Sequence, residues 1–224
     1  MRPEALCLSL GLPGGSAPAA GSNSSSISGR RLQQAPLNNT QLQAPRVGLQ
    51  ISSGAVVLED VVVSNWYGPA VVVESGATLV AVRRSVFSFI TTSPSGPTDT
   101  SDLAGQQGII VVMPGGRLLE VDSSFFGSNI GSAIAIQGSG TNSAGPLLIK
   151  NSTFAFGSAS QGAAIKASDW LGSMRMERDV FIGNGAEQHG AVSVSGIALA
   201  SAASSLTISM CDFLANKVKE VVFT

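Results

Sequence analysis

One seven-residue pattern occurs twice near the end of the chain, as Arg178-Asp179-Val180-Phe181-Ile182-Gly183-Asn184 and as Met210-Cys211-Asp212-Phe213-Leu214-Ala215-Asn216. Both copies carry a phenylalanine at the fourth position and an asparagine three residues later. Related stretches without the full pattern occur earlier in the chain, and their anchors are Val62, Phe87, Phe125 and Phe154. A recurrence of this kind is typical of repeat proteins, whose units bury their apolar faces by stacking on one another.

Two further motifs recur between these anchors, which are separated by 25, 38, 29, 27 and 32 residues. A glycine, a small residue and alternating Ile or Val follow each anchor, and these copies begin at Gly68, Gly108, Gly131, Gly162 and Gly190. A weaker apolar strand then precedes the next anchor, as in Leu206-Thr207-Ile208-Ser209. The three motifs of each unit therefore predict three short strands, which are separated by turns of Gly, Ser and Asn.

Three strands in each unit and no helical stretch between them predict an all-β fold, a right-handed parallel β-helix solenoid. We expect about six to seven coils, each with three short strands that lie in parallel on their counterparts one coil earlier. The phenylalanines should stack inside, and Asn65, Asn184 and Asn216 should lie in line at one corner. The alternative is a leucine-rich repeat, which Leu206-x-Ile208-x-x-Cys211-x-Phe213-x-x-Asn216 fits. The recurring second strand and the low leucine content disfavour that alternative.

The two ends of the chain differ from the repeats. Residues 1–45 are rich in Ser, Pro, Gln and Asn, so we expect a disordered leader or linker there, and a parallel β-helix over 46–224. Residues 91–102 should form an exposed loop. The sequence stops at Glu220-Val221-Val222-Phe223-Thr224 without a polar cap. We therefore expect an open or truncated C-terminal end, and either a longer solenoid or edge-to-edge association at that end.

The composition excludes several classes of protein. The chain has 224 residues, with 13 Lys and Arg against 14 Asp and Glu, and only 12% of its residues are charged. No basic run is present to bind nucleic acid, and no apolar run reaches the length of a membrane-spanning helix. Cys7 and Cys211 are too few for a disulfide framework or a zinc site. We accordingly expect no nucleic-acid partner, no membrane span and no cofactor.

These motifs resemble those of a known superfamily. The Phe-x-x-Asn and Gly-x-Ala-Ile patterns are similar to repeats of the right-handed parallel β-helix in the pectin-lyase-like superfamily, and in particular to those of polymorphic outer-membrane-protein type surface proteins. The resemblance covers about residues 47–224, but the doubled glycine of those repeats is missing at Gly131-Ser132 and Gly162-Ala163. It implies a non-enzymatic structural or adhesive module at the cell surface or outside the cell, which contacts a protein or glycan ligand through its faces.

The same superfamily contains polysaccharide lyases and hydrolases, so a carbohydrate-active enzyme or an inactive relative is the rival hypothesis. The motifs of its pectin hydrolases, Asp-Asp, Asn-Thr-Asp, Gly-His-Gly and Arg-Ile-Lys, are all missing from this sequence. The densest polar cluster consists of Asp169, Arg175, Glu177, Arg178, Asp179, Glu187 and His189. We interpret this cluster as a solvated surface, and we assign no catalytic, cofactor-binding or metal-binding residues. Under the rival hypothesis, Glu187, Asp179 and His189 would carry the chemistry.

The large amphipathic aromatic residues offer a second place to look for a binding surface. Trp66, Tyr67 and Trp170 could stack on sugar rings, or they could cover a hydrophobic edge of the solenoid. The second interpretation is favoured, because loop aromatics commonly close the ends of a core. Cys211, two residues before Phe213, is predicted to fill a small core position.

Overall fold

The computed structural model of the protein describes residues 8–9, 24–28, 31–33, 47–92, 108–138, 146–170, 172–195 and 205–218. Within these ranges the regular structure is entirely β. The strands are β1 Leu8–Ser9, β2 Ser24–Ser28, β3 Arg31–Gln33, β4 Leu49–Ile51, β5 Ala55–Glu59, β6 Val62–Tyr67, β7 Val71–Val73, β8 Thr78–Arg83, β9 Val86–Thr91, β10 Gly108–Val112, β11 Arg117–Leu118, β12 Glu120–Asp122, β13 Phe125–Gly127, β14 Ser132–Gln137, β15 Leu147–Lys150, β16 Thr153–Ala155, β17 Ser158–Gln161, β18 Ile165–Ser168, β19 Ser173–Glu177, β20 Val180–Ile182, β21 Gly185–Gln188, β22 Val192–Val194, β23 Ser205–Ser209, β24 Asp212–Leu214 and β25 Lys217–Val218.

The strands form three long parallel sheets that run along one axis, as the repeat pattern predicts. The first sheet has the order β1-β4-β7-β10-β14-β18-β22, the second β2-β5-β8-β12-β15-β19-β23, and the third β3-β6-β9-β13-β16-β20-β24. A shorter sheet, β17-β21-β25, adjoins the third, and β11 pairs with β8. Three sheets in every turn confirm the parallel β-solenoid and exclude the leucine-rich repeat. The right-handed winding stays a prediction.

The number of turns is smaller than predicted. From β4 to β22 the chain completes about five turns, against the six to seven coils expected from the sequence. Strands β1, β2 and β3 pair with β4, β5 and β6, and β23 and β24 pair with β19 and β20, so each sheet extends beyond these five turns. Within the predicted leader, β2 and β3 pair with β5 and β6. The boundary at residue 45 stays a prediction, and most of the predicted loop 91–102 lies outside the described residues.

A column of stacked phenylalanines marks the third sheet's contribution to the core. The rings of Phe87, Phe126, Phe154, Phe181 and Phe213 stack in that order, with centroids 4.9, 5.1, 5.1 and 4.6 Å apart. This distance matches the spacing of neighbouring strands, so each ring lies directly on the ring of the coil before it. Aliphatic side chains of the first and second sheets fill the rest of one continuous core.

Two of the predicted anchors were wrong by one residue. Phe126, not Phe125, pairs with Phe87 and Phe154, and Val63, not Val62, pairs with Phe87. Successive side chains of a strand point to opposite faces, so a shift of one residue moves the wrong side chain into the core. Phe125 consequently faces outward and is 39% exposed.

The asparagine column also differs from the prediction in one member. Asn129, Asn184 and Asn216 lie three residues after their anchors, and each side-chain amide donates to a carbonyl of the preceding coil, at 2.8 to 3.1 Å. Asn65 is not part of this column, because Trp66 occupies the equivalent position and pairs with Ile90. Asn65 instead takes the exposed corner position with φ 53°.

Candidate functional site

The predicted polar cluster is divided among separate parts of the solenoid. Arg175 pairs with Glu177 on the second sheet, and Arg178, at the next corner, donates from Nε to Asn151 Oδ1 at 3.0 Å. Glu187 and His189 are exposed at the end of β21, on another side of the coil. Asp169 is exposed in a turn after β18. These residues therefore do not present their charges together on one surface.

Asp179, the third residue of the rival enzyme hypothesis, is buried between the second and third sheets, with 1% of its surface exposed. Its Oδ1 accepts the N–H of Ser152 at 2.8 Å, and its Oδ2 accepts the N–H of Glu177 at 3.1 Å. Burial raises the pKa of this carboxyl to about 6, although both backbone hydrogen bonds act to lower it. A carboxyl enclosed in this way holds coils together and has no access to a substrate.

The position of Asp179 belongs to a buried polar column that the sequence analysis did not identify. Its other members are the buried Ser85, Ser124 and Ser152 and the partly buried Cys211, each two residues before a phenylalanine of the stacked column. Each serine hydroxyl donates to the carbonyl two residues earlier and accepts a backbone N–H from the coil before it. The signal for this column in the sequence is a small polar residue two positions before the true anchor.

A ladder of alternating charges lies on the outer side of the second sheet. The residues that stack in register there are Glu59, Arg83, Asp122, Lys150 and Glu177. Glu120 joins this ladder, with its carboxylate 2.6 Å from Arg83 and 2.8 Å from Lys150. Burial acts to raise the pKa of Glu120, but the hydrogen bonds from Lys150 and Arg83 hold it below its usual value. Opposite charges alternate along this ladder, and its four carboxylates against two cations leave it a small excess of negative charge.

The third sheet presents a face of the opposite character, which we call the uncharged face. It comprises the outward positions on either side of the phenylalanine and asparagine columns over five coils, and none of them is charged. Its members are Val62, Ser64, Asn65, Tyr67, Val86, Ser88, Phe89, Thr91, Phe125, Gly127, Ser128, Ile130, Thr153, Ala155, Phe156, Ser158, Val180, Ile182, Gly183 and Gly185.

Three exposed phenylalanines lie on consecutive coils of the uncharged face. Phe89 is 60% exposed, Phe125 39% and Phe156 62%. Phe89 and Phe156 occupy the same corner position two coils apart, which separates them by roughly 10 Å. The ring of Phe125 covers Gly127 on the intervening coil, where an added Cβ would come within 2.4 Å of it. The three side chains lie on the same face of three consecutive coils, and we call them the aromatic strip.

Two residues of this strip are held in a backbone conformation that bulky side chains rarely adopt. Phe89 and Phe156 both have φ 54°, in the left-handed region. The corresponding corner residues of other coils include Asn65 and Gly183, which are common in this conformation. A solvent-exposed phenylalanine gains little from packing at this corner. Each of these two residues therefore combines an unfavourable backbone conformation with an exposed apolar side chain.

The aromatic residues singled out from the sequence lie elsewhere. Trp170 is 2% exposed and belongs to the core, so its ring is not available to stack on a sugar. Trp66 packs against the same core while partly buried, and Tyr67 lies half-buried at the edge of the uncharged face. Of the three, only Phe125 had a signal in the sequence, because just one of the neighbours Phe125 and Phe126 can point inward. Phe89 and Phe156 follow Phe87 and Phe154 by two residues, where strand alternation alone would place them inside, and their outward position comes with the left-handed corner that the sequence did not indicate.

Three general observations complete the description of the site. In the described ranges, His, Cys, Asp and Glu side chains do not come together in groups of three that could hold a metal ion. No helix capable of crossing a membrane occurs in the part of the chain that the structure describes. No protein-family model, curated protein or solved structure matches the chain.

Proposed function

We propose that this protein is a non-enzymatic structural or adhesive module of a cell-surface or secreted protein, and that its uncharged face binds a neutral glycan. The observation that carries the proposal is the aromatic strip of Phe89, Phe125 and Phe156 on a face without charged residues. A relationship to the pectin-lyase-like superfamily, and to surface proteins of the polymorphic outer-membrane-protein type, is part of the same proposal.

The chemistry of the uncharged face favours a neutral, hydroxyl-rich ligand. The flat side of a sugar ring can pack on an exposed phenylalanine, and Ser88, Ser128 and Thr153 lie beside the strip with hydroxyl groups that can donate and accept hydrogen bonds. A face without ionic groups gives an anionic polysaccharide no counter-charge. The coil spacing of about 4.8 Å sets binding groups at regular intervals along an extended chain.

A protein ligand is the second candidate for the same face. An exposed apolar strip with a polar surround is also typical of protein interaction sites. The neutral glycan is preferred, because the face lacks the arginine and exposed tryptophan side chains that commonly dominate protein interfaces. Polysaccharide cleavage is the third candidate. It is disfavoured because Asp179, one of the three residues that would carry the chemistry, is buried.

A glycan array probed with the full chain tests the proposal. We expect binding to neutral glycans, and a loss of about tenfold or more in affinity for the double variant Phe89→Asn, Phe156→Asn. Asparagine tolerates the left-handed conformation, so the double variant should retain the thermal unfolding midpoint of the unmodified protein or exceed it. The matched control is Met210→Asn, which replaces an exposed apolar side chain at φ 53° outside the uncharged face. It should leave affinity unchanged.

Three results would overturn the proposal or part of it. If the double variant and the unmodified chain bound glycans with equal affinity, the uncharged face would not be the binding surface. Binding to proteins but to no glycan would select the second candidate. Cleavage of a pectin-like polymer that Glu187→Ala abolishes would make the protein an enzyme.

A further inference from the structure

A column of exposed side chains alternates aromatic and hydroxyl groups on three consecutive coils of the uncharged face. Phe89, Ser128 and Phe156 are all exposed, and each has φ 54°. The register on both sides of this corner fixes the alignment of the three. The paired residues are Ser88, Gly127 and Ala155 before the corner and Thr91, Ile130 and Ser158 after it. Neighbouring coils are about 4.8 Å apart, so Phe89 and Phe156 lie roughly 10 Å apart with Ser128 midway between them.

Two rings of the aromatic strip lie against glycines of the same face. A Cβ added to Gly127 would come within 2.4 Å of the ring of Phe125, and one added to Gly183 would come within 2.7 Å of the ring of Phe156. Each ring therefore occupies space that a side chain would fill at the neighbouring position. Glycine at both positions lets the rings lie along the face, where a flat ligand can pack over them.

The charges around this column disfavour an anionic ligand. None of the outward positions of the uncharged face is charged. The charge ladder on the neighbouring second sheet has four carboxylates against two cations. An anionic polysaccharide would therefore find no counter-charge on the face and an excess of like charge beside it. A neutral chain meets neither difficulty.

We propose that the ligand of the uncharged face is a linear, neutral β-1,4-linked polysaccharide, which lies along the solenoid axis. This inference rests on the proposed function and adds the linkage and the direction of the glycan. Each ring of such a chain is turned over relative to the ring before it, so alternate rings present the same side. Alternate rings are separated by close to two coil spacings, which is the separation of Phe89 and Phe156.

The column supplies a different contact to each kind of ring. Sugars whose hydroxyl groups are all equatorial have apolar C–H groups on both sides of the ring, and these pack well on an aromatic side chain. Alternate rings would pack on Phe89 and Phe156 in this way. The ring between them would exchange hydrogen bonds with the hydroxyl group of Ser128.

Other neutral glycans lack this match to the column. Chains with α-1,4 or β-1,3 linkages coil, so their alternate rings do not lie on one straight line with the same side facing the protein. Such a chain could place one ring on Phe89 or on Phe156, but a straight segment would not reach both. A β-1,4-linked chain needs three rings to contact both phenylalanines, so its affinity should rise with length beyond the disaccharide.

Titration calorimetry of the full chain with soluble oligosaccharides tests the linkage and the length. The probes are cellobiose, cellohexaose, the α-1,4-linked maltohexaose and the β-1,3-linked laminarihexaose. We expect cellohexaose to bind at least about tenfold more tightly than each of the other three. Cellobiose is too short to contact both phenylalanines, and the other two hexamers have the wrong shape.

The single variants Phe89→Asn and Phe156→Asn test the column itself. Asparagine tolerates the left-handed conformation, so both variants should fold. Each keeps only one phenylalanine of the column, so the advantage of cellohexaose over cellobiose should fall to less than about threefold. Met210→Asn is the control and should keep the full advantage, because Met210 lies outside the uncharged face.

The results separate this inference from the proposed function. Equal affinity for the three hexamers would overturn the inference, and so would an advantage of cellohexaose over cellobiose that both single variants retain. In either case, glycan binding that the double variant Phe89→Asn, Phe156→Asn loses would still identify the uncharged face as a glycan-binding surface. If no glycan bound to the chain, the inference and the proposed function would fail together.

Discussion

The buried position two residues before each inward phenylalanine holds serine in three coils and Asp179 in another. Both residue types accept a backbone N–H there, but only the serines also have a hydroxyl proton to donate. Ser85, Ser124 and Ser152 each accept a backbone N–H and donate a hydroxyl proton to the carbonyl two residues earlier. Asp179 has two acceptor oxygens in the same place, and an ionised carboxylate there has no proton to give. Both oxygens accept backbone N–H groups, from Ser152 and Glu177, which favours the ionised form, but burial favours the neutral acid more strongly and raises the pKa to about 6.

Asp179 should make the stability of the protein depend on pH. Its pKa is about 6 in the folded chain and near 3.8 for an ordinary carboxyl, so between these values the folded state holds a proton that the unfolded state has lost. The free energy of unfolding therefore falls as the pH rises from about 4 to about 6 and is constant above that window. Allowing for solvent screening, this loss should be about 1 to 2 kcal/mol.

The variant Asp179→Ser isolates that contribution. Serine supplies the donor and acceptor that the other coils use, so the variant should fold and should lose most of the decline in stability between about pH 4 and pH 6. Urea unfolding at a series of pH values measures it. An unchanged slope in the variant would assign the pH dependence to other carboxyl groups.

Strand register is the feature of this fold that a single sequence determines least. The glycine-started strands and the strands before each anchor were predicted correctly, because Gly108-Ile109-Ile110-Val111 and similar stretches are unambiguous. In Phe125-Phe126 and Val62-Val63, however, two neighbouring residues are equally apolar, and only pairing with the next coil decides which one points inward. Phe125 of the aromatic strip was missed for the same reason, whereas Phe89 and Phe156 were missed because the sequence did not indicate the left-handed corners that turn them outward.

The alternating charges of the second sheet give its strands a preferred register. Lys150 lies between Asp122 and Glu177 in the ladder and also contacts Glu120. Lys150→Glu would place a carboxylate among these acids, and we expect the free energy of unfolding to fall by about 1 to 2 kcal/mol. The loss should shrink as salt is added, because the charges are partly exposed.

Lys166→Glu is the matched control for that variant. Lys166 lies on the first sheet, where its register partners are Ala135 and Ser193, so the same change of charge should cost less than about 0.5 kcal/mol. Chemical denaturation of both variants at low and high salt makes the comparison. Equal losses in the two would show that the ladder contributes nothing specific.

Across the whole molecule, stability should vary along the axis, because each coil contacts only its neighbours. Side chains of the middle coils, such as Leu79, Phe87 and Ile149, are fully buried, whereas Leu206 and Phe213 are half-exposed. Native-state hydrogen exchange should therefore find the slowest amides between β8 and β20 and markedly faster exchange in β23 and β24. Uniform protection from β8 to β24 would show a single cooperative unit instead.

The parallel stacking of the strands also gives the molecule a direction of mechanical strength. The strands lie across the solenoid axis, so the hydrogen bonds that join the coils point along it. Tension along the axis loads the bonds of one coil at a time and opens the solenoid like a zipper. Tension across the axis, along the strands, loads many bonds together in shear. A module of this shape would hold its load better when pulled sideways than when pulled from its ends.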